Sequence, residues 1–264
     1  MAYKIYCTYY ISTIIIEMAV FYKALTIMNI IKSWFGKIKS PLDAIIAPEI
    51  SNDLFYEYLF KIAQNKEFKT YIEIGSSAGQ GSTQAFFNGI NCRDDKELVS
   101  LYCLEISTAR FEILKDTYKK YSFIKPFNLS SIESSLFPSK EKVAEFYNSN
   151  INHKLKAYPL ELVQSWRDND LAYLNVHKKN NANGIEIIKK TFKIKNFDFA
   201  LIDGSEFTGN VELDFVMGAK MIALDDTETF KCYEAKERLS KDDRYKLVIH
   251  DPSVRNGFAI FELK

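Results

Sequence analysis

Three glycines follow a short apolar segment in the first third of the chain. Residues 69–74 are rich in β-branched and aromatic side chains, which is typical of a buried strand, and they lead into Gly75, Gly79 and Gly81. Glycine tolerates positive φ angles and lets a ligand lie against bare backbone. A helix that begins near Gly81 would present free N–H groups to a polar or anionic ligand. The sequence therefore predicts a nucleotide-type binding site in this loop.

Acidic residues stand at the ends of several apolar segments. Glu105 follows the apolar segment 98–104, and a carboxylate there can accept both hydroxyls of a ribose, as it does in dinucleotide folds. Ligands of open α/β sheets bind in the crevice outside the carboxyl ends of the strands. We therefore expect the carboxylates to converge on one crevice. They are Glu73, Glu105, Asp203, Asp225 and Asp226.

The spacing E-x-G-x-x-x-G-x-G, which begins at Glu73, resembles the first motif of class I S-adenosylmethionine-dependent methyltransferases. Segments 197–205 and 221–227 resemble the fourth and fifth strands of that family. The resemblance covers roughly residues 50–130 and 196–264. It implies an α/β fold with a Rossmann-like, doubly wound sheet in the order 3-2-1-4-5-7-6, in which strand 7 is antiparallel.

The resemblance also implies a cofactor, S-adenosylmethionine, and its contacts. Its positive charge suits a carboxylate such as Glu73 at the end of strand 1, where a pyrophosphate would be repelled. The cofactor would lie against the loop, so a bulky side chain at Gly75 is expected to abolish binding and leave the fold largely intact. Ser130 and Ser131 are placed to reach the adenine side. The predicted cofactor-binding residues are Glu73, Gly75, Ser76, Gly79, Gly81, Glu105, Ser131 and Asp203.

Asp203, Asp225 and Asp226 resemble the metal ligands of O-methyltransferases of the catechol and macrolide-sugar types. In those enzymes carboxylates at these strand ends hold Mg²⁺, and three hard oxygen ligands with waters fit that ion. A bound metal would lower the pKa of the acceptor hydroxyl and orient it toward the methyl group. Alternatively, Asp226 caps the following helix, and Asp203 faces the cofactor amine or solvent.

The catalytic base is open. The catechol type has a lysine three residues after the strand-4 aspartate, whereas this chain has Glu206. Glu206, His250 and a metal-bound hydroxide are the alternatives, and the candidate catalytic residues are Asp203, Glu206 and His250. These features predict an S-adenosylmethionine-dependent methyltransferase that transfers methyl to a hydroxyl of a small molecule or glycan, with Mg²⁺ as a candidate cofactor.

Three alternatives to a methyltransferase stay open. One is a non-catalytic or repurposed protein that kept the crevice, and another is a member of the cephalosporin-hydroxylase-like branch. The third is a short-chain NAD(P)-dependent oxidoreductase, a family with threonine directly before the first glycine and a distant Tyr-x-x-x-Lys pair. Here Ile74 precedes Gly75, and the early pair Tyr121 and Lys125 comes too soon after the glycines.

Apolar periodicity predicts the elements that position these residues. Residues 128–196 exceed the roughly one dozen residues that a plain crossover needs, so we expect a helical insert at about 132–192 over the crevice. Trp166 and Tyr173 are candidate substrate contacts there. The last two strands, 244–250 and 258–263, should form a hairpin. Helices are predicted at 54–63, 81–88, 109–121, 139–147, 159–176, 185–192 and 229–239, and strand 3 at 123–127.

Composition narrows the class of protein. The 264 residues carry a formal net charge of +1 without a basic tail, so no nucleic-acid partner is expected. Four cysteines lack C-x-x-C spacing and only three histidines exist, which argues against zinc. Free cysteines fit a reducing compartment, and we expect a cytoplasmic protein.

Residues 1–50 form a predicted helical extension before a methyltransferase-like domain at 51–264. Segment 5–22 is apolar apart from Glu17 and some hydroxyl residues, and a spanning helix needs about twenty apolar residues. Met28 offers a second start, followed by an amphipathic segment. The extension is expected to pack on the domain or on a partner chain in a homo-oligomer. Alternatively, it is not always translated, or it contacts a membrane.

Overall fold

The computed structural model describes residues 40–149 and 151–264, so most of the predicted extension, including Met28, lies outside the described residues. Seven strands form one sheet. They are β1 Thr70–Ile74, β2 Ser100–Leu104, β3 Ile124–Phe127, β4 Phe199–Ile202, β5 Met221–Asp225, β6 Tyr245–Asp251 and β7 Phe258–Leu263.

The strand order is β3-β2-β1-β4-β5-β7-β6. Strands β1 to β5 run parallel, and β7 is antiparallel to both β5 and β6. This confirms the predicted order and the direction of strand 7. β4 is buried along its whole length, because helices cover both faces of the sheet, and it is therefore a continuous apolar run in the sequence.

The described residues contain eight α-helices, and all seven predicted helices are among them. The helix expected from residue 229 begins four residues later, because residues 227–232 form turns and a bend after Asp226, which has a φ of 54°. The helices are α1 Leu54–Ala63, α2 Ser82–Asn91, α3 Thr108–Tyr118, α4 Lys140–Asn148, α5 Leu160–Val176, α6 Gly184–Phe192, α7 Gly209–Val216 and α8 Tyr233–Lys241.

Two helical layers cover the two faces of the sheet. α1, α2 and α3 pack on one face through buried side chains such as Phe55 and Phe86. α6, α7 and α8 pack on the other face through side chains such as Ile188 and Leu213. Thus α6, which the prediction counted within the insert, belongs to the layer on the sheet.

The remaining helices of the insert, α4 and α5, form a third apolar cluster. Val143 and Val163 of these helices pack with Phe207, just after β4, and with Phe230, just after β5. The insert is thereby fixed over the carboxyl ends of the strands, where the candidate site residues lie. Among the described helices, none is long and apolar enough to span a membrane.

Candidate functional site

The glycine loop closes over the carboxyl end of β2. The backbone N–H groups of Gly75 and Ser76 both donate to the carbonyl of Leu104 at 3.0 Å. Gly75, Ser77 and Gly79 have φ angles of 86°, 48° and 81°, so the chain reverses through left-handed conformations that favour glycine. The predicted turn between strand and helix is therefore present.

Gly75 is needed for a different reason from the one predicted. A Cβ atom there would lie 2.0 Å from the backbone oxygen of Asp203 and 2.9 Å from the Cα of Gly204. The close approach is to the protein's own backbone at the end of β4. The expectation that a bulky side chain would leave the fold largely intact is therefore wrong, and the expected loss of cofactor binding stays a prediction.

Glu73 lies beneath the loop and does not line the cavity described below. Its carboxylate is fully buried and accepts hydrogen bonds from the hydroxyls of Ser76 and Thr83, both at 2.7 Å. Burial raises the pKa of this carboxyl, and the hydroxyl donors oppose that shift. Gly79 also faces away, since a Cβ there would meet the side chains of Leu114 and Tyr118 on α3. Direct contact of Glu73 or Gly79 with a ligand stays a prediction.

A cavity of about 410 Å³ opens between the loop, the ends of β2 and β4, and α5. Its walls are apolar at Leu104, Ile106 and Leu174. This volume falls in the range of small-molecule sites, which combine apolar walls with a few polar groups. The predicted residues that line it are Gly75, Ser76, Gly81, Glu105, Ser130, Ser131, Trp166, Asp203 and Glu206.

Glu105 presents a carboxylate to this cavity from the tip of β2. The residue is 5% exposed, and its Oε1 atom accepts a hydrogen bond from the backbone N–H of Ser107 at 2.7 Å. Burial raises the pKa of Glu105 to about 7, although the Ser107 N–H and Arg110 oppose the shift. A buried acceptor at this strand end matches the position that the sequence assigned to it.

Ser131 donates its hydroxyl to Glu212 on α7. The same carboxylate oxygen of Glu212 accepts from the hydroxyl of Thr208 at 2.7 Å, and its other oxygen is buried without a partner among the described residues. Sequence reasoning missed Glu212, because a glutamate in the first turn of a helix is usually explained by the helix dipole. Ser131 lines the cavity, but its hydroxyl is engaged within the protein.

Asp203, Asp225 and Asp226 converge at the ends of β4 and β5. One carboxylate oxygen from each lies within 4.8 Å of the others. Asp225 and Asp226 are 1% and 4% exposed, so their charges cannot be balanced by solvent. Buried carboxylates need cations or protons as partners.

Lys231 supplies one of those cations, and sequence reasoning missed it. Its ammonium donates to Asp203 Oδ1 at 2.9 Å and to Asp226 Oδ2 at 2.6 Å, with only 9% of the side chain exposed. Burial disfavours the ammonium, yet the surrounding carboxylates raise the pKa of Lys231 well above its usual range. In turn Lys231 outweighs the effect of burial on Asp226 and holds the pKa of that carboxyl below its usual range. Arg255 pairs with Asp225 and also with Asp53.

These partners bear on the predicted Mg²⁺ site. Three carboxylate oxygens are the donors that Mg²⁺ prefers, at distances of about 2.0–2.1 Å. However, a buried ammonium already bridges Asp203 and Asp226, and a guanidinium binds Asp225. A divalent cation on the same oxygens would lie next to two fixed positive charges. The residues present do not fit a bound Mg²⁺ while Lys231 holds this position.

The structure separates the two candidate bases. Glu206 lines the cavity, and its Oε1 atom accepts from the backbone N–H of Lys231 at 3.3 Å. Burial raises the pKa of Glu206 to about 7, with Lys231 opposing. His250 lies on β6, where its Nε2 atom contacts Glu228 Oε1 at 3.0 Å. It lines neither this cavity nor a second, smaller cavity beside it.

A second cavity of about 270 Å³ adjoins the first. The two cavities share a wall that includes Gly204, Glu206 and Lys231, with Trp166 and Glu49. Leu155, Tyr158, Asp226 and Asn256 are among the other residues that line the second cavity. Glu206 and Lys231 therefore border both cavities.

Two residues of α5 near the cavities have roles that differ from expectation. Tyr173, a candidate substrate contact, lines neither cavity: its hydroxyl donates to Asp43 at 2.9 Å and accepts from the Thr108 N–H at 3.0 Å. Asp170, which sequence reasoning missed, lines the first cavity and accepts from the hydroxyl of Ser205 at 2.5 Å. Burial raises the pKa of Asp170 to about 6.

Comparison with known proteins finds solved structures that are similar to this chain. An O-methyltransferase from Bacillus cereus in complex with SAH is similar at a TM-score of 0.49 and 11% identity, over 83% of this chain and 84% of that one. A methyltransferase from Geobacter sulfurreducens is similar at a TM-score of 0.48 and 10% identity, over 81% and 82%. No family model and no curated protein sequence matches this chain. At identities and TM-scores this low, the likenesses carry no inference about activity.

Proposed function

We propose that this chain is an S-adenosylmethionine-dependent methyltransferase that methylates a hydroxyl of a small molecule or glycan. The observation that carries the proposal is the Glu105 carboxylate, which faces the first cavity from the tip of β2 opposite the glycine loop. A nucleoside that lay on the loop would bring its ribose hydroxyls to this acceptor.

The first cavity suits the cofactor in size and chemistry. At about 410 Å³ it is large enough for a nucleoside with a side chain. The apolar side chains of Leu104 and Ile106 flank Glu105 and would pack on the adenosine portion. Asp170, whose pKa is about 6, adds a carboxylate to the cavity wall at neutral pH, which favours a sulfonium and an amine over a phosphate.

The second cavity would then hold the methyl acceptor. When bound, S-adenosylmethionine would supply the methyl group from its sulfonium. Glu206 lies on the shared wall, and its pKa of about 7 lets it accept the hydroxyl proton near neutral pH. Holding the acceptor in line with the methyl group can supply much of the lowering of the barrier.

Calorimetry with S-adenosylhomocysteine tests the cofactor assignment without knowledge of the acceptor. We expect one-to-one binding to the full chain, and a loss of about 10- to 100-fold in affinity in Glu105→Gln, because hydrogen bonds to a charged acceptor contribute about 1.5–3 kcal/mol. Glu112→Gln on the exposed side of α3 is the matched control. No binding in the wild-type protein would favour a repurposed fold, and binding of NADH in its place would favour an oxidoreductase.

A further inference from the structure

Lys231 is held in place by its backbone as well as by its charge. Its N–H donates to Glu206, and its carbonyl lies against Gly209 at the start of α7. A Cβ at Gly209 would come within 2.2 Å of that carbonyl oxygen. The turn after β5 and the start of α7 therefore pack backbone against backbone, and the ammonium is presented from a fixed position.

The ammonium has a donor left for a ligand. A lysine ammonium carries three N–H donors, and the described contacts of Lys231 use two of them, on Asp203 and Asp226. Lys231 lines both cavities, beside Glu206. A third N–H at the shared wall would meet an oxygen of an acceptor bound in the second cavity.

The acidic cluster already holds two cations. Lys231 lies between Asp203 and Asp226, and Arg255 pairs with Asp225 while also pairing with Asp53. An added divalent cation would have to displace Lys231, whose ammonium already lies on both Asp203 and Asp226.

We propose that Lys231 is the resident cation of this site, that it excludes Mg²⁺ from the three aspartates, and that its ammonium holds the acceptor oxygen during methyl transfer. This inference rests on the proposed methyltransferase function for its last part. The acceptor O–H bond breaks as its proton passes to Glu206, and the oxygen forms a bond to the methyl carbon. The carbon–sulfur bond breaks, and its electron pair stays on the sulfur of S-adenosylhomocysteine. Lys231 keeps its protons throughout and stabilises the negative charge on the oxygen.

Titration with Mn²⁺, followed by electron paramagnetic resonance on the full chain, tests the exclusion of divalent cations. We expect the wild-type protein to bind Mn²⁺ no better than a variant lacking one of the aspartates, Asp225→Asn. Lys231→Met should gain a site at least about tenfold tighter, because it exposes three carboxylate oxygens to a hard cation. Lys231→Arg should bind Mn²⁺ no better than the wild type. Lys236→Met, which removes a similarly buried ammonium from Glu228, is the matched control.

The outcomes are distinguishable from failure of the proposed function. Stoichiometric Mn²⁺ binding to the wild-type protein, lost in Asp225→Asn, would overturn the inference, and so would a folded Lys231→Met without gain in affinity. If Lys231→Met does not fold, the Mn²⁺ titration of the wild-type protein and its thermal melts with and without chelator test the inference. Excess chelator should leave both the melting temperature and the affinity for S-adenosylhomocysteine unchanged. Absence of S-adenosylhomocysteine binding would refute the methyltransferase proposal alone, whatever the Mn²⁺ result.

Discussion

The affinity for S-adenosylhomocysteine should depend on pH through Glu105. Burial raises the pKa of this carboxyl to about 7, and ribose hydroxyls donate to its ionised form. The ligand therefore binds more tightly to the ionised form of Glu105, which burial disfavours in the empty site. Lowering the pH below 7 protonates Glu105 and should weaken binding.

The size of the effect follows from the pKa. With a pKa of about 7, the ionised fraction of Glu105 is roughly 0.9 at pH 8 and roughly 0.1 at pH 6. If only the ionised form binds, the dissociation constant rises about tenfold over that interval, which corresponds to about 1.4 kcal/mol. Glu105→Gln cannot titrate, so its affinity should be lower and independent of this step.

Calorimetry at half-unit intervals from pH 5.5 to 8.5 measures the effect as a ratio of wild-type to Glu105→Gln affinities. Titration of the ligand itself is common to both proteins and cancels. Asp170, Asp203 and Glu206 also line the cavity, so Glu206→Gln serves as the second reference and should keep the wild-type slope. An affinity ratio that is flat across pH 7, or a slope that disappears in Glu206→Gln alone, would refute the role of Glu105.

Three further predictions concern the loop, the base and the stability of the empty protein. In urea titrations, Gly75→Ala should lower the free energy of unfolding by more than about 2 kcal/mol, because its Cβ would overlap the Asp203 carbonyl. Gly81→Ala should lower the free energy of unfolding by less, because the atoms nearest to its Cβ would lie at 3.3 Å. Once an acceptor is known, Glu206→Gln should reduce kcat by about 10²- to 10⁴-fold and remove a step near pH 7 from the rate profile, with little change in S-adenosylhomocysteine affinity. Burial raises the folded-state pKa of Glu105 from 4.5 to about 7, so the folded protein must release a proton as the pH rises through that window. The free energy of unfolding of the unliganded wild type should therefore fall relative to that of Glu105→Gln over this range. A relative rise would contradict the burial of this carboxyl.

The sheet and the loop could be predicted because their signals are local. Strands β1, β2, β4 and β5 are short, largely apolar runs that end at or just before an acidic or glycine residue, and the twelve residues from Tyr71 to Ser82 contain most of β1 and its turn. Lys231 could not be found in the same way. A lysine six residues past the end of β5 resembles any solvated loop residue, and only the fold brings it to Asp203, 28 residues earlier in the chain.

The glycines show what a correct motif leaves undetermined. A pattern of glycines predicts a tight loop, but it does not say which neighbour requires the missing side chain. At Gly75 the neighbour is the backbone of β4, and at Gly79 it is a pair of side chains on α3. Likewise the order of residues placed Glu73 at a strand end without saying on which side of the loop its carboxylate lies.

The acidic cluster shows why donors and acceptors must be counted together. Three carboxylates at two strand ends suggest a divalent cation when only the carboxylates are considered. The structure adds Lys231 from the turn after β5 and Arg255 from the loop before β7, both buried enough to act as fixed counter-charges. Because Lys231 also faces both cavities, the group that neutralises the cluster is the same group that can reach a bound acceptor. Lys231 can therefore both neutralise the aspartates and contact a bound acceptor. The Mn²⁺ titration of Lys231→Met measures the neutralisation directly.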